Sequence, residues 1–517
     1  MYAREKQATQ KAAFVFLRDS PQSDCEAVKE ARRASLWTYP KREKQATQKA
    51  AFLENRKMVG IMRSSTERKN YLFTNDDLKK LIIPLVLEQA LGIMVGMADT
   101  MMISSAGEAA VSGVSLVDMI NVFMLRVLGA LATGGAVVVS QNIGAGKIDQ
   151  ARKSAKQLLF SSLVFSTFLA GLIILFKKGL LNLLFGSIEP VVMEASLTYL
   201  TITALSFPFM GLYNACAALF RSMSKSGVTF KVSIVGNVIN IVGNAICVMG
   251  LHMGVAGVAI PSLVSRAVMG IILYVMLQNP EYEVHFVREK FKVDFATIRN
   301  ILYIGIPNSV ESGIFQLGRV MVVSIISGFG TVQIAANGVA NSLDTIGSMV
   351  GQAMNLAMIT VIGRCVGAGD QTQIKYYWKK LVIITYVSSA VINIPILLGL
   401  DPILSLYGLS AETTQLAKTL IMIHNGFAMI LWPMSFVFPN MLRACNDVRC
   451  AMAISIFSML VFRVGFSYIL GVQYGMGAIG VWIAMIIDWC FRIICFVARY
   501  LHGDWKSLMY KLNKKEG

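Results

Sequence analysis

Charged residues inside long apolar runs are the feature of this sequence that could do chemistry. A charge in hydrocarbon is costly unless it faces water or a partner, so such residues are functional candidates. Carboxylates in this setting can carry protons or coordinate alkali cations, unless arginines hold them in structural ion pairs. The acids are Glu88, Asp99, Asp118, Glu311, Asp344 and Asp488, and the bases are Arg126, Arg266, Arg319, Arg463 and Arg492.

Two of the acids have a spacing that favours proton transfer, and a third occupies an equivalent position. Glu88 and Asp99 are eleven residues apart, which places them within about 20° of one helix face and about 16 Å apart. A proton could therefore visit two carboxylates on one cavity wall. Glu311 follows a proline by four residues, as Glu88 does. Alternatively, Arg319 or backbone groups freed at these prolines satisfy the two glutamates.

Near the end of the chain, the charges favour a structural cluster. Asp488 and Arg463 reach similar depths when the last two apolar runs form an antiparallel hairpin, and Arg492 lies one helical turn from Asp488. We expect an ion-paired cluster there, with a gated charge relay as the alternative.

Asp118 and Arg126 are eight residues apart, on nearly one face of a helix. This spacing also favours a structural ion pair, unless Asp344 from the other half of the chain exchanges partners with Arg126.

Composition indicates that membrane helices position these charges. Of the 517 residues, 55% are apolar and only 15% are charged, and the mean hydropathy is +0.59. A soluble domain carries roughly a quarter of charged residues, so a soluble globular protein is almost excluded. Twelve apolar runs have the length of a membrane span, at about 77–103, 112–142, 156–176, 195–219, 230–250, 255–278, 299–327, 333–363, 378–400, 414–438, 450–471 and 477–500. The sequence predicts an all-α membrane protein with twelve transmembrane helices.

Basic residues between the runs predict the orientation. With a cytoplasmic N-terminus, the loops after even-numbered runs hold seventeen Lys and Arg, whereas the opposite loops hold only Lys177, Lys178 and Lys418. The positive-inside rule therefore predicts that both termini are cytoplasmic. The net charge of +18 does not indicate a nucleic-acid partner, because the basic residues past position 80 lie in short loops rather than on one face.

Residues 1–74 form a separate polar extension. The stretch Arg4–Phe14 (REKQATQKAAF) recurs identically as Arg42–Phe52. Such a basic arm would be attracted to the anionic inner leaflet. The alternative is a local duplication or an over-long start, with Met58 or Met62 as the native initiator. We expect the extension to be disordered or non-native.

The predicted helices fall into two related halves. Setting Pro84 on Pro307 also superposes Glu88 on Glu311 and the loop 144–146 on 367–369. Two halves of six helices in the same orientation indicate parallel repeats about an axis normal to the membrane, with the substrate path between them. We therefore predict a pseudo-symmetric pair of six-helix lobes, at 75–278 and 299–503, joined by a cytoplasmic linker at 279–298 and followed by a basic cytoplasmic tail at 504–517.

Prolines inside the predicted helices are candidate hinges, because each removes a helix hydrogen bond and can kink the helix. They are Pro84, Pro208, Pro307 and Pro433.

Short stretches at corresponding helices carry a family resemblance. They are MADTMMIS (97–104), SQNIGAGK (140–147), FRSMSKSG (220–227), NVINIVGNAICVMGLHMGVAGVAI (237–260), GRCVGAGD (363–370), LRACND (442–447) and GMGAIGVWIAMIIDW (475–489). Together and in this order, over about residues 75–505, they resemble the multidrug and toxic compound extrusion (MATE) family of secondary transporters. The resemblance implies a V-shaped pair of lobes that exports drug-like compounds in exchange for protons or sodium ions.

The resemblance also implies a cation site in the first lobe. It places the acid at Asp99 and, in relatives with an acidic fifth span, pairs it with an Asn and an Asp one turn apart. The corresponding residues are Asn240 and Asn244, which keep oxygen ligands for Na⁺, or hydrogen bonds to a protonated Asp99, but lack the second charge. Both asparagines could instead cap a helix kink or bond across the lobe. Glu311 matches the sodium-site acid of another branch, whose partner aspartate falls close to Trp432, a residue that cannot ligate a cation.

These observations predict an ion-coupled (H⁺ or Na⁺) antiporter that exports amphipathic, cationic, drug-like compounds by alternating access of the two lobes. The alternative is a flippase or exporter of lipid-linked or polysaccharide precursors from the same wider fold group. Such flippases usually carry a basic cavity for pyrophosphate, whereas most buried bases here have an acid nearby. The repeat with its mid-span acids disfavours a channel or receptor.

The sequence carries no nucleotide-binding or hydrolytic motif, and its four histidines are dispersed. We therefore expect neither an enzyme nor a cofactor beyond the coupling ion. The expected partners are small organic molecules and the lipid bilayer, with no nucleic acid. The protein is expected to be a monomer that spans the cell membrane of a prokaryote many times.

Overall fold

The computed structural model describes residues 71–104, 107–186, 189–286 and 291–509. From Phe73 onward, the described residues form one compact unit. The duplicated stretch of the predicted N-terminal extension lies outside the described residues, as does most of the predicted basic tail.

Every regular element of the described chain is a helix. The α-helices are α1 (Asn75–Ser104), α2 (Glu108–Gly144), α3 (Ile148–Phe185), α4 (Pro190–Leu205), α5 (Phe207–Ser222), α6 (Ser226–Asn244), α7 (Gly254–Met276), α8 (Phe295–Ser327), α9 (Thr331–Gly367), α10 (Gln371–Leu398), α11 (Leu400–Ser405), α12 (Ala411–Trp432), α13 (Pro439–Ala444), α14 (Val448–Phe457), α15 (Gly477–His502) and α16 (Trp505–Leu508). Wide π-helical stretches continue some of them, at Ala245–Gly250, Pro433–Val437, Ser458–Gly465 and Ser467–Gln473.

Length and composition agree with the predicted number of spans. Within the described ranges, eleven helices are long and apolar enough to cross a membrane, and α4 with α5, bent by 42°, makes a twelfth if the pair is one span. The prediction of an all-α protein with twelve transmembrane helices is confirmed.

The predicted hinge prolines lie in different settings. Pro208 is the second residue of α5, directly after the 42° bend. Pro433 begins the π-helical stretch that follows α12. Pro84 and Pro307 lie inside α1 and α8. Because proline has no N–H group, Pro84 and Pro307 each remove one backbone hydrogen bond from their helix, whereas Pro208 lies in a first turn, where that N–H has no helical acceptor. The hinge role of all four stays a prediction.

The two halves repeat the same loop geometry. Gly107 and Gly330, which precede α2 and α9, have φ angles of 97° and 95°. Gly146 and Gly369, which follow these helices, have φ angles of 72° and 71°. Residues with a Cβ atom rarely adopt such angles, so glycine is needed at these positions. The sequence repeat aligns the two glycines of each pair.

The ends of α2 and α9 meet in a reciprocal contact between the halves. Gly144 packs on the backbone of Arg364, and Gly367 packs on the backbone of Gln141, with no room for a Cβ atom at either glycine. The repeat aligns Gln141 with Arg364, as it aligns the two glycines. We call these four residues the α2–α9 contact.

Side chains of the α2–α9 contact also cross between the halves. Gln141 Nε2 donates to the carbonyl oxygen of Ala444 at 2.8 Å, and Arg364 Nε donates to that of Ser222 at 2.9 Å. These acceptors belong to α13 and α5, whose last turns leave carbonyl groups without a helical partner. Each half therefore supplies a donor to the helix end of the other.

A shared apolar core lies beside this contact. Val137 of α2, Leu158 of α3, Phe220 of α5 and Ile301 of α8 have no exposed surface and belong to one cluster. Because residues of both halves contribute to it, the core fixes α2 against α8.

Candidate functional site

A polar cluster between α1, α6 and α7 contains the three residues predicted for a cation site. Asn244 Nδ2 donates to Asp99 Oδ1 at 2.7 Å and lies 3.5 Å from Asn240 Oδ1. Asn240 donates to the hydroxyl oxygen of Ser262 at 3.0 Å. The Oδ1 atom of Asn244 is buried and has no hydrogen-bond partner among the described residues. An oxygen ligand without a partner thus lies beside a carboxylate. We call Asp99, Asn240, Asn244 and Ser262 the Asp99 cluster.

The Asp99 cluster, together with its neighbours Asp118 and Arg266, carries a net negative charge when both carboxylates are ionised. Asp118 of α2 lies close enough to repel Asp99, and Arg266 of α7 attracts both carboxylates. Arg266 Nη1 also donates to the hydroxyl oxygen of Ser206 at 2.7 Å. Two carboxylates against one guanidinium leave one negative charge, which favours a proton or a monovalent cation.

The predicted ion pair of Asp118 and Arg126 is wrong. Asp118 Oδ1 accepts instead from Asn121 Nδ2 and from the Tyr199 hydroxyl, each at 3.2 Å. In the part of the chain that the structure describes, no carboxylate lies within 4.0 Å of Arg126. Spacing along α2 brought the two residues to nearly one face, but Arg126 lines a cavity in the second half and Asp118 binds within the first.

Glu88 belongs to a separate hydrogen-bonded network. The hydroxyls of Tyr213 and Thr229 donate to its carboxylate at 3.2 and 3.0 Å. Arg221 Nη1 lies 3.9 Å from Glu88 Oε1. Arg319, the alternative partner considered from the sequence, is therefore not the partner of Glu88, and proton exchange between Glu88 and Asp99 stays a prediction.

Glu311 is paired with an arginine of the second half. Arg443 Nη2 lies 2.5 Å from Glu311 Oε1, and Arg443 Nη1 donates to Asn440 Oδ1 at 2.7 Å. The alternative partner Arg319 is wrong here too, because the tenth span continues to Ala444 and keeps Arg443 inside the protein. A guanidinium thus binds the acid that the resemblance assigns to a sodium site.

The two glutamates occupy equivalent places. Glu88–Arg221 joins α1 to α5, and Glu311–Arg443 joins α8 to α13. The repeat aligns the two glutamates with each other and places Arg221 on Ala444, next to Arg443. This equivalence favours a structural role for both pairs, since each couples the corresponding helices of its half.

Asp488 has no exposed surface and lies among basic and hydroxyl groups. Arg492 Nε donates to its Oδ1 atom at 2.9 Å, Arg463 Nη1 lies 3.8 Å from its Oδ2 atom, and the Ser458 hydroxyl also donates to it. Both guanidinium groups lie 5.4 Å from the centre of the Phe315 ring. The three residues predicted as a cluster are brought together, and a gated relay remains the alternative.

A partly enclosed cavity of about 290 Å³, which we call the arginine-lined cavity, is lined by residues of the second half and by Arg126 of α2. Its arginines are Arg126, Arg319, Arg443, Arg463 and Arg492, and its carboxylates are Glu311 and Asp344. Arg319, like Arg126, has no carboxylate within 4.0 Å in the described ranges. We expected most of the buried bases to have an acid nearby, and these two are exceptions. Trp432, close to which the resemblance places the partner aspartate of the other family branch, lines the same cavity.

A pair on the cavity wall was missed from the sequence. His424 Nε2 lies 3.4 Å from Asp344 Oδ1, so Asp344 pairs with His424 and not with Arg126, the partner considered as the alternative. The buried imidazole sits between the rings of Trp482 and Trp489, with centroids 5.1 and 5.0 Å away. The position of His424 in the middle of the predicted run 414–438 could have indicated this pair, because an ionisable group inside a membrane span is costly.

Comparison with protein families gives two matches along the chain. The family model MatE matches residues 84–246 and 307–469. The two matched segments are equally long, and they begin at Pro84 and Pro307, the prolines that align the halves in the sequence.

Individual proteins match over nearly their whole length. The probable multidrug resistance protein NorM of Thermotoga maritima is 24% identical over 85% of this chain and 96% of its own. The probable multidrug resistance protein YoeA of Bacillus subtilis is 25% identical over 86% of this chain and 96% of its own. A solved structure described as the outward-facing conformation of a multidrug resistance MATE family transporter superposes with a TM-score of 0.77 at 19% identity, covering 85% of this chain and 96% of that one.

Proposed function

The chain belongs to the MatE family of multidrug efflux transporters, and from this premise we propose that it exports amphipathic, drug-like organic compounds in exchange for protons or sodium ions. It is a multi-pass membrane protein with bacterial relatives, and its family consists of transporters rather than enzymes. The coupling ion and the compounds are the parts that the proposal adds.

The Asp99 cluster is the observation that carries the coupling proposal. A half-buried carboxylate, an amide oxygen without a partner and an excess negative charge lie together between three helices. A sodium ion would find oxygen ligands at Asp99, Asn240 and Asn244, and a proton would bind at Asp99. Either ion would neutralise the excess charge. If the ion binds more tightly in one conformation than in the other, its binding shifts the equilibrium between the two conformations.

Alternating access would separate the halves at the α2–α9 contact. With both termini in the cytoplasm, as the positive-inside rule favours, this contact lies at the cytoplasmic end of α2 and α9. Its closure blocks that side, and its opening would admit compounds from the cytoplasm. Transport then requires that ion binding at the Asp99 cluster and opening at the α2–α9 contact exclude one another.

Dye efflux from a pump-deficient bacterial host tests the coupling. The host expresses the protein, Asp99→Asn or Asp401→Asn, and is given fluorescent dyes of both charges while the proton and sodium gradients are collapsed separately. Asp401 is exposed and pairs with Lys418 at 2.5 Å on the surface, so its variant is a matched control. We expect Asp99→Asn to abolish efflux and Asp401→Asn to retain it. Full efflux by Asp99→Asn at equal expression, or efflux that survives collapse of both gradients, would overturn the proposal.

A flippase for lipid-linked precursors is the second candidate. It is favoured by Arg126 and Arg319, whose guanidinium groups lack carboxylate partners within the described residues and could bind a phosphate group. Purified protein in liposomes without lipid-linked substrate distinguishes the two functions, because only an exporter of soluble compounds takes up a dye there.

A further inference from the structure

The charge balance of the arginine-lined cavity indicates the chemistry of its ligand. Five guanidinium groups line it. Glu311 neutralises Arg443, and Asp488, just behind the wall, is shared by Arg463 and Arg492. Asp344 lies against His424. Counting all three carboxylates still leaves an excess of two positive charges.

The excess is concentrated on two side chains that face open space. The side chains of Arg126 and Arg319 have a large exposed surface, and both line the cavity. Their exposed surface therefore faces the cavity rather than a packed interior. Arg319 lies close enough to repel both Arg126 and Arg463. Like charges held together in a partly enclosed space attract an anion, and a cation would be repelled by both.

The rest of the cavity supplies an apolar surface. Trp432 stacks on Phe436 with ring centres 5.0 Å apart, and Trp482 faces His424 nearby. Such a wall accepts an aromatic or aliphatic group of varied shape by burial and stacking. The cavity therefore combines an anion-binding end with an apolar end.

Resting on the proposed export function, we propose that the transported compound is an amphipathic organic anion whose carboxylate, sulfonate or phosphate group binds Arg126 and Arg319. The planar guanidinium group suits the paired oxygens of all three anions. Arg126 comes from α2 of the first half and Arg319 from α8 of the second. The bound anion thus contacts both halves, and the cationic substrate expected from the sequence is replaced.

Binding of two probes that share one ring system tests the inference. The full-length protein, purified in detergent, is titrated with pyrenebutyrate and with the ammonium analogue pyrenebutylamine. The variants are Arg126→Gln, Arg319→Gln and Arg126→Lys. Arg299→Gln is the matched control, because Arg299 lies in the same helix α8 but outside the cavity.

We expect the anionic probe to bind about tenfold more tightly than the cationic one, and each glutamine variant to weaken anion binding about tenfold or more. Arg126→Lys should recover part of the loss because it keeps the charge, and Arg299→Gln should bind like the natural protein. Preferred binding of pyrenebutylamine, or unchanged anion binding in both glutamine variants, would overturn the inference.

Two further arms separate the source of the anion and the proposed function. The anion is a lipid if a polyprenyl phosphate competes for binding and is translocated in liposomes that do not accumulate pyrenebutyrate. The anion is a soluble compound if the liposomes accumulate pyrenebutyrate. Gradient-driven transport of the cationic probe alone refutes the anion inference and leaves ion-coupled export standing. Anion-selective binding without gradient-driven transport of any probe refutes ion-coupled export instead.

Discussion

A single methyl group at Gly367 should open the α2–α9 contact. In Gly367→Ala the added Cβ would lie much closer than 3.0 Å to the carbonyl oxygen of Gln141. Real Cβ atoms essentially never approach another atom that closely. Because the obstacle is backbone, α9 must move away by about 1 Å. Overpacking of this kind costs typically about 1–3 kcal/mol. The cost falls only on the closed contact, so the equilibrium should shift towards separation by roughly 5- to 150-fold.

Thiol labelling measures this opening. Cys445 is fully buried and follows Ala444, the residue whose carbonyl group accepts from Gln141. In a variant with Cys445 as its only cysteine, Gly367→Ala should raise the rate of maleimide labelling about tenfold. Gly338→Ala is the matched control, because Gly338 lies in the same helix and its Cβ would have no atom within 4 Å.

The reciprocal position gives a second readout. Gly144→Ala should raise the labelling rate of Cys445 as Gly367→Ala does. The double variant should change the free energy of opening by less than the sum of the two single variants, because one separation relieves both clashes. If Gly367→Ala and Gly338→Ala are both folded and monodisperse yet label at the same rate as the natural protein, separation at the α2–α9 contact does not control access to Cys445 and the reasoning fails.

Three more variants probe other parts of the structure. Gln141→Ala removes the 2.8 Å hydrogen bond between the halves, worth about 1 kcal/mol, and should speed the same labelling about fivefold. Asp294 caps α8, and hydrogen bonds from the Thr297 hydroxyl and backbone amides lower the pKa of its carboxyl group. Asp294→Ala should therefore cost about 1 kcal/mol at pH 7, with a Tm difference that disappears as the pH falls from the usual pKa of about 3.9 through the lower native value. Arg492→Met removes the 2.9 Å partner of the fully buried Asp488 and should destabilise by about 3–5 kcal/mol in a thermal assay, a loss that adding Asp488→Asn should reduce.

The spans and the repeat followed from the sequence because lipid imposes a simple rule on every helix. Apolar runs of spanning length must be helical in a bilayer, since all their backbone hydrogen bonds must be made internally. The rule does not give helix ends outside the hydrocarbon: the third span was expected at 156–176, whereas α3 extends from Ile148 to Phe185. Turns beyond the bilayer look like loops in a hydropathy profile.

Those extra turns explain why the partners of Glu88 and Glu311 were missed. The seventeen basic residues assigned to loops include Arg221, Arg364 and Arg443, yet each of these lies in a helix and contacts another part of the fold. Arg443 and Glu311 are 132 residues apart in sequence, so no spacing rule could pair them. Asp99 and Asn244 came together only through the family resemblance, because their distance of 145 residues also carries no periodic signal.

The two halves differ where the coupling ion and the compound are proposed to bind. The alignment that sets Pro84 on Pro307 also places Asp99 on Val322 and Asn240 on Arg463. Val322 has no ligand atom, and the Arg463 guanidinium lies 3.8 Å from Asp488. The proposed cation site of the first half is therefore not repeated in the second, and the two proposed sites have surroundings of opposite charge.

Opposite charges in the two sites make membrane potential a decisive test. Exchange of one cation inward for one monovalent anion outward moves two positive charges inward, whereas exchange of one cation for another moves none. At 100 mV, inside negative, two charges correspond to about 4.6 kcal/mol, or roughly three decades in the gradient that can be sustained. Pyrenebutyrate export from vesicles whose potential is set with potassium and valinomycin should therefore accelerate as the interior becomes negative. Arg299→Gln should show the same dependence, and export that is indifferent to potential would rule out exchange of a cation for an anion.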